Sequence, residues 1–478
     1  MRGKVQRAGT YAGVFLSLAC ALVGCSPEQV VGTSLPTNVP DPKTTHTAAG
    51  AIAAYRGALV LFRNVFGGSG VQPYSFVPVS GLLTDELQAG DIGLVGSVSA
   101  VELLDSRFLQ TDTALIESVY GALQQARGQA EEAHGLLLAY APDSIALLGH
   151  VDALRGYTEI FLADLFCSGI PLSTLDFNGD FTYEAGSTTE QVYTTAAALL
   201  DSAVTLSADS TRILNFARVG KGRALLGLGQ YAAAAQAVAA VPDGFGYEVD
   251  FSTSVAAGSG SGANANFMGT ISIIGSWFTM VDREGGNGLP FMSNSDPRSA
   301  WVANGTNSNG YTLTLPTKYD LAGDSPIVAA SAVEARLIQA EAALKASMGS
   351  WLTTLNALRT DGTYDTVRDP QDSTKTDTLW HPGTGGVAGL APLADPGAPD
   401  ARVDLLFRER AFWLFLTGER QGDLRRLIRQ YGRQLQTVYP MGSYPGAFGT
   451  YGTDVTAPIP YTEQVSNPLF AGCLNRGA

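Results

Sequence analysis

Between residues 113 and 240 apolar residues recur with a helical period almost without interruption, and this constrains the fold more than any other feature of the chain. Residues 113–166 read as two helices broken at Ala141-Pro142-Asp143-Ser144, where Asp143 or Ser144 can cap the second of them. Helices are expected over 188–206 and 211–228, and after a Gly229-Gln230 turn another over 231–240. An earlier helix over 48–66 places Ile52, Tyr55, Leu59 and Phe62 on one face before Gly67-Gly68-Ser69-Gly70 stops it. A further pair is read at 331–345 and 351–359. Antiparallel pairs joined by short turns must bury their apolar stripes against one another. The expected fold is therefore mostly α, a superhelix of stacked helix pairs, with the body at 48–478.

Two stretches interrupt this pattern. Residues 242–325 are rich in Gly, Asn, Ser and Thr, with short β-like runs at 269–274 and 311–315, and residues 361–400 are Pro-rich. Residues 71–96 also read as irregular. Long loops carried on a rigid scaffold are where binding usually resides. Aromatic faces stack on the C–H faces of sugar rings and amides take hydroxyls. Trp277, Trp301 and Tyr311, with Tyr74 from the earlier loop and the amides of Asn287 and Asn294, are the candidate ligand residues. Trp277, following a β-like run, has a core role as its alternative.

The first 24 residues read as an export signal, with Arg2, Lys4 and Arg7 before an apolar core at 12–23 that is too short to span a bilayer. Removing those three basic residues takes the formal net charge from −14 to −17, which disfavours nucleic acid and anionic lipid surfaces as partners. Residues 25–47 read as a tether rich in Pro, Thr and Val. Charged residues make up 15% of the chain, against roughly 25% in an average globular protein, so solubility rests on neutral polar groups.

Catalytic chemistry finds little support. The four histidines, His46, His134, His150 and His381, fall in no metal-ligand spacing, and there is no Walker motif or GxSxG elbow. Acid pairs such as Asp282 with Glu284, or Glu334 with Glu341, can be named, but the latter two are expected to meet the arginines of 404–433. No metal, cofactor or enzymatic role is expected.

Residues 404–433 carry a resemblance. They read as a helix with Leu405, Phe412, Trp413 and Leu416 on an apolar stripe, a stop at Gly418, and a second helix capped by Asp423, its face continued by Leu424, Leu427, Ile428 and Tyr431. Arginines outnumber acids here, and an ion-pair network between helices is the expectation. The elements Arg408-Glu409-Arg410, Gly418, Arg420 and Asp423-Leu424-Arg425-Arg426 resemble the C-terminal signature of SusD/RagB outer-membrane nutrient-binding lipoproteins. Trp413 and Thr417 stand where the commoner family pattern has glutamates. Asp296-Pro297-Arg298, Lys318-Tyr319, the strings at 334–344 and 351–359, and a Pro-rich closing strap at 457–468 are similar to further family features. Residues 220–241 resemble a tetratricopeptide unit, in which small residues let helices nest and the tyrosine fills a groove. Leu22-Val23-Gly24-Cys25 resembles a lipobox that makes Cys25 the lipidated first residue.

The resemblance implies a lipid-anchored protein on the outer face of the outer membrane. It would bind an oligosaccharide or similar polymer, or a peptide, and pass it to a SusC-like TonB-dependent barrel transporter. A tetratricopeptide-type scaffold lipoprotein that binds protein or peptide partners is the alternative. With Cys20 in the signal and Cys25 lipidated, Cys167 and Cys473 are left, and in a cell-surface compartment they are expected to pair and hold the strap.

Overall fold

The computed structural model describes residues 45–69, 74–90, 92, 99–175, 180–252, 265–268, 278–307, 310–319, 323–360 and 389–478, together with the backbone of 365–368 and 376–379. The first helix, α1 (Ala48–Gly67), starts where the Thr47 hydroxyl accepts from the Gly50 amide. Next comes α2 (Phe76–Leu83), inside a segment that reads as irregular. All eight of its residues are buried, so it shows no amphipathic period, and this is why the sequence hides it. The short strand β1 (Leu87–Ala89) and α3 (Ala100–Asp105) lead to the long hairpin of α4 (Ala114–Tyr140) and α5 (Ile145–Leu165). The break falls at 141–144 as the sequence indicates, with Ser144 as N-cap residue but no side-chain cap bond.

Two small antiparallel ribbons follow, β2 (Ile170–Pro171) with β5 (Gly186–Ser187) and, between them, β3 (Thr174–Leu175) with β4 (Phe181–Thr182). A reciprocal Thr188–Gln191 capping box then opens α6 (Thr189–Leu206). The series continues with α7 (Thr211–Gly227) and α8 (Tyr231–Val238). After the first insertion come α9 (Ala332–Lys345) and α10 (Ser350–Thr360), and after the second α11 (Pro399–Trp413) and α12 (Arg420–Tyr431).

From α4 to α10 each helix packs chiefly on its neighbours in sequence, and α1 lies on α4, giving the stacked superhelix of a mostly α, tetratricopeptide-like fold. Small residues set the spacing: a Cβ on Gly220 of α7 would stand 2.5 Å from the Tyr157 ring of α5. That contact continues an aromatic core in which Tyr157 stacks on Phe216 at 4.2 Å, Phe216 on Tyr247 at 3.8 Å and Phe76 on Phe161 at 3.9 Å. Tyr231 turns toward α12 instead of filling a groove of its own repeat, donating to the Gln430 carbonyl at 2.7 Å.

The first insertion contains three antiparallel pairings. Strand β6 (Gly246–Val249) pairs with β10 (Ile327–Ser331), β7 (Phe278–Met280) with β1, and β8 (Trp301–Thr306) with β9 (Thr312–Pro316). The β-like run expected at 269–274 lies outside the described residues. In the second insertion, residues 365–368 and 376–379 form a further ribbon.

Two details of the 404–433 stretch differ from its sequence reading. Helix α11 stops at Trp413, before Gly418, which instead turns the following loop with φ +97° where a Cβ would meet the Phe76 ring at 2.4 Å. Asp423 is not a cap. The N-cap residue is Glu419, and the Asp423 carboxylate, one turn inside α12, faces Arg410 and Arg426.

The expected network is present and buried. Arg410 grips Asp423 through two hydrogen bonds of 2.7 and 2.9 Å, and Arg426 joins Asp423 at 2.7 Å and also Glu341. Glu409 takes Arg298 and Arg359 at 2.8 Å each, and Asp85 holds Arg420 at 2.7 and 2.8 Å. Of the two acids expected to meet this stretch's arginines, Glu341 does. Glu334 binds Arg223 of α7 instead, at 2.8 Å twice. Where the family pattern has glutamates, Trp413 donates its indole N–H to Glu409 at 3.2 Å beneath the Arg298 guanidinium, and Thr417 donates to Glu419 at 2.5 Å.

The C-terminal strap is better held than its sequence indicates. It contains a short helix, Tyr461–Ser466, and backbone bridges tie Ala457 to Phe166 and Asn475 to Ser168. The Cys167 and Cys473 sulfurs are bonded, with Cα atoms 5.9 Å apart.

Candidate functional site: the hairpin face of the first insertion

The β8–β9 hairpin packs on β7 through the largely buried β9, and the candidate aromatics sit at its two ends. Trp301 opens β8 opposite Pro316, and Tyr311 precedes β9 near the turn, roughly 15 Å away at the rise of an extended strand. Both are well exposed, at 40% and 41%. Neither is loose. The Trp301 indole donates to the Met292 carbonyl at 3.4 Å, and the Tyr311 hydroxyl donates to the Pro445 carbonyl at 3.1 Å. Asn307 fixes the hairpin to the body by donating to the Gly90 carbonyl at 3.1 Å.

The bond from Tyr311 to Pro445 brings in aromatics that the sequence reading did not single out. Phe448, in the same loop as Pro445, stacks on Phe108 at 4.6 Å, and Phe108 is itself exposed. These rings come from segments more than three hundred residues apart, and no local pattern could have joined them.

The other candidates fall differently. Asn294 is exposed beside the turn that supports Trp301, with its carbonyl accepting from Arg408 at 3.1 Å. Asn287 is committed to backbone: its amide donates to Tyr439 at 2.8 Å and Gln436 at 3.1 Å, and its carbonyl accepts from Met441 at 3.0 Å. That arrangement braces the loop leading to Pro445. Tyr74 is half-buried against the core. Trp277 lies outside the described residues.

Beneath this face lies a buried acid pair. Asp105 accepts from the Ala89 amide at 2.8 Å and the Tyr444 hydroxyl at 2.9 Å, and Glu284 accepts from Tyr451 at 2.8 Å. The two carboxyls are buried close enough to act on each other. Burial pushes Asp105 up to about 7, and burial together with the Asp105 charge pushes Glu284 well above the usual carboxylate range. Tyr444 and Tyr451 flank Pro445 and Phe448, so their bonds to the two acids anchor the aromatic loop.

The sign of the linkage follows from the raised values. The native state keeps protons that the unfolded chain, with carboxyls near 4, has already released, so stability falls as pH rises from about 4 to about 7. Glu284→Gln is expected to remove part of that slope. In denaturant titrations between about pH 4.5 and 7.5, the variant should gain stability relative to the parent as pH rises. A pH-independent difference between the two would refute the raised carboxyl values.

Among the described residues no group of three or more His, Cys, Asp or Glu side chains is placed to hold a metal ion. Asp282 accepts from the Met292 and Ser293 amides at 2.9 Å and shapes the turn beside Asn294, whereas Glu284 is buried with Asp105, so the two do not face each other across a cleft. No helix among the described residues is long and apolar enough to cross a membrane.

No family model and no curated protein matches the sequence. Solved structures do. A SusD superfamily protein from Bacteroides vulgatus superposes with a TM-score of 0.60 at 15% identity, over 90% of this chain and 100% of its own. One from Parabacteroides distasonis gives 0.59 at 12% identity, over 89% of this chain and 98% of its own. A laminarin binding SusD-like protein gives 0.60 at 14% identity, over 90% and 99%. The helix-pair superhelix of this chain thus has the fold of the SusD superfamily.

Proposed function

We propose that this chain is a SusD/RagB-type surface lipoprotein that binds an oligosaccharide or related polymeric nutrient and hands it to a SusC-like TonB-dependent barrel transporter. The observation that carries the reading is the exposed, anchored aromatic face on the β8–β9 hairpin, with Trp301 at one end and at the other Tyr311, bonded to the loop whose Phe448 stacks on Phe108. Exposed rings on a braced loop offer stacking surfaces for sugar C–H faces at little ordering cost. The laminarin binding neighbour in the same fold makes glucans the first ligands to test. Lipidation of Cys25 after an export signal, followed by a tether up to residue 47, would hold this face outside the cell. The protein acts by capture, without catalysis.

The test uses soluble protein beginning after Cys25 on a glycan array and a peptide mixture, with the full chain for localisation. Trp301→Ala and Tyr311→Ala should each weaken glycan binding roughly tenfold while leaving the melting temperature unchanged. Cys25→Ser should move the full chain from the membrane to the soluble fraction. Binding of peptides alone, unaffected by either aromatic variant, would favour the scaffold reading. Such a peptide would be expected in the groove between α4, α5 and α6 lined by His134, Asp152 and Arg155.

A further inference from the structure

A groove of about 580 Å³ lies apart from the hairpin face, between α4, the two ribbons that follow α5, and the helix Tyr461–Ser466. Its wall carries Phe181 and Tyr183, 52% and 42% exposed, whose rings meet edge to face at 4.5 Å. On the paired strand Leu175 stands opposite Phe181 and is also exposed. Three large apolar side chains on a ribbon whose strands are two residues long add little to a core, and their clustering at a concavity calls for a binding role.

The floor is polar and already ordered. Gln124 donates to the Pro171 carbonyl at 2.8 Å and to the Tyr120 hydroxyl at 3.1 Å, and Tyr120 in turn donates to Glu463 at 3.2 Å. Glu463 also accepts from the Asn467 amide at 2.8 Å. Gln129 donates to Glu132 at 3.0 Å along the same side of α4. Planar amides and carboxylates held by one another, facing exposed rings, suit a ligand with hydroxyl groups on its edges and apolar C–H faces.

Other ligand classes fit less well. The guanidinium of Arg127, the one cationic group lining the groove among the described residues, is buried and turned to Gln124, Ser173 and Glu131, while Glu132 and Glu463 face the groove, so an anion is disfavoured. An amphipathic peptide helix would need a continuous apolar trough, which this polar floor interrupts.

We propose that this groove is a second carbohydrate site, which takes a neutral oligosaccharide segment against Phe181 and Tyr183 and acts with the hairpin face on one polymer chain. Two linked sites on a single chain raise the retention of long polymers beyond that of either site alone. Both rings are exposed, so Phe181→Ala/Tyr183→Ala should leave melting unchanged.

The experiment uses the soluble chain beginning after Cys25. It measures binding to arrayed β-1,3-, β-1,4- and α-1,4-linked glucan, xylan and mannan oligosaccharides, and retardation by the matching polysaccharides in affinity gels. Four forms are compared: parent, Phe181→Ala/Tyr183→Ala, Trp301→Ala/Tyr311→Ala, and the combination. The groove variant should weaken polysaccharide binding on the order of tenfold, and the hairpin variant should keep a residual affinity that only the combination abolishes. A groove variant that equals the parent on every glycan, including the case where neither binds any, overturns the proposal. So does an effect confined to peptides. Insensitivity to the hairpin variant with sensitivity to the groove variant would instead overturn the hairpin assignment alone.

Discussion

Asp423→Asn is expected to destabilise the folded chain by about 3–5 kcal/mol, among the largest effects available from a single uncharged substitution. Asp423 is buried between Arg410 and Arg426, and among the described residues the only other acid touching both guanidiniums is Glu341. Burial alone would push the Asp423 carboxyl up, but the two guanidiniums more than offset this and hold it below the ordinary range. With Asn in its place, two buried cations share one carboxylate, and the excess charge has no solvent to reach. Arg410→Met combined with Asp423→Leu removes one charge of each sign together, and should recover most of the loss because a matched apolar pair has no desolvation penalty. Denaturant titrations of the three proteins at neutral pH give the comparison. A loss below about 1 kcal/mol for the single variant would mean that the charges are solvated and the network is not closed.

Loss of the Cys167–Cys473 bond is expected to cost about 2–4 kcal/mol. The bond closes a loop across a separation of 306 residues, and a crosslink of that span removes much of the freedom of the unfolded chain. The native side of the balance changes less, because the strap keeps its bridges to Phe166 and Ser168 and the Arg425 guanidinium still caps the carbonyl end of α5 beside them. Cys167→Ser/Cys473→Ser should therefore fold, with a lower denaturation midpoint and faster proteolysis after residue 457. Reducing agent should lower the midpoint of the parent and leave the double variant untouched. Equal midpoints for the reduced and oxidised parent would show that the backbone bridges alone retain the strap.

The scaffold was open to a reading from sequence because helices report themselves through local periodicity. The break at 141–144, the pairs up to α8, and α9 with α10 all follow from apolar spacing and turn residues within a few positions of one another. Helix α2 escaped for the complementary reason: buried on every side, it has no polar face to set a period. The same limit applies to α11, where Glu409 and Arg410 are buried beside the apolar stripe. Periodicity distinguishes apolar from polar positions. It does not tell a solvated charge from one whose partner arrives from a distant helix.

The candidate ligand face divides along the same line. Composition marked the first insertion as a candidate binding region and stacking chemistry named Trp301 and Tyr311, which are exposed there. It could not distinguish them from Asn287, whose amide is spent on the backbone of 436–441, nor add Phe108 and Phe448, which meet only when two remote loops close. The sequence by itself determined the helical scaffold, the place of its insertions and the charge-rich stretch that locks it, because these depend on neighbours a few residues away. Which aromatics face solvent together, which carboxyls are buried side by side and how the arginines are partnered came from the tertiary structure, because each depends on distances between groups that lie far apart in the chain.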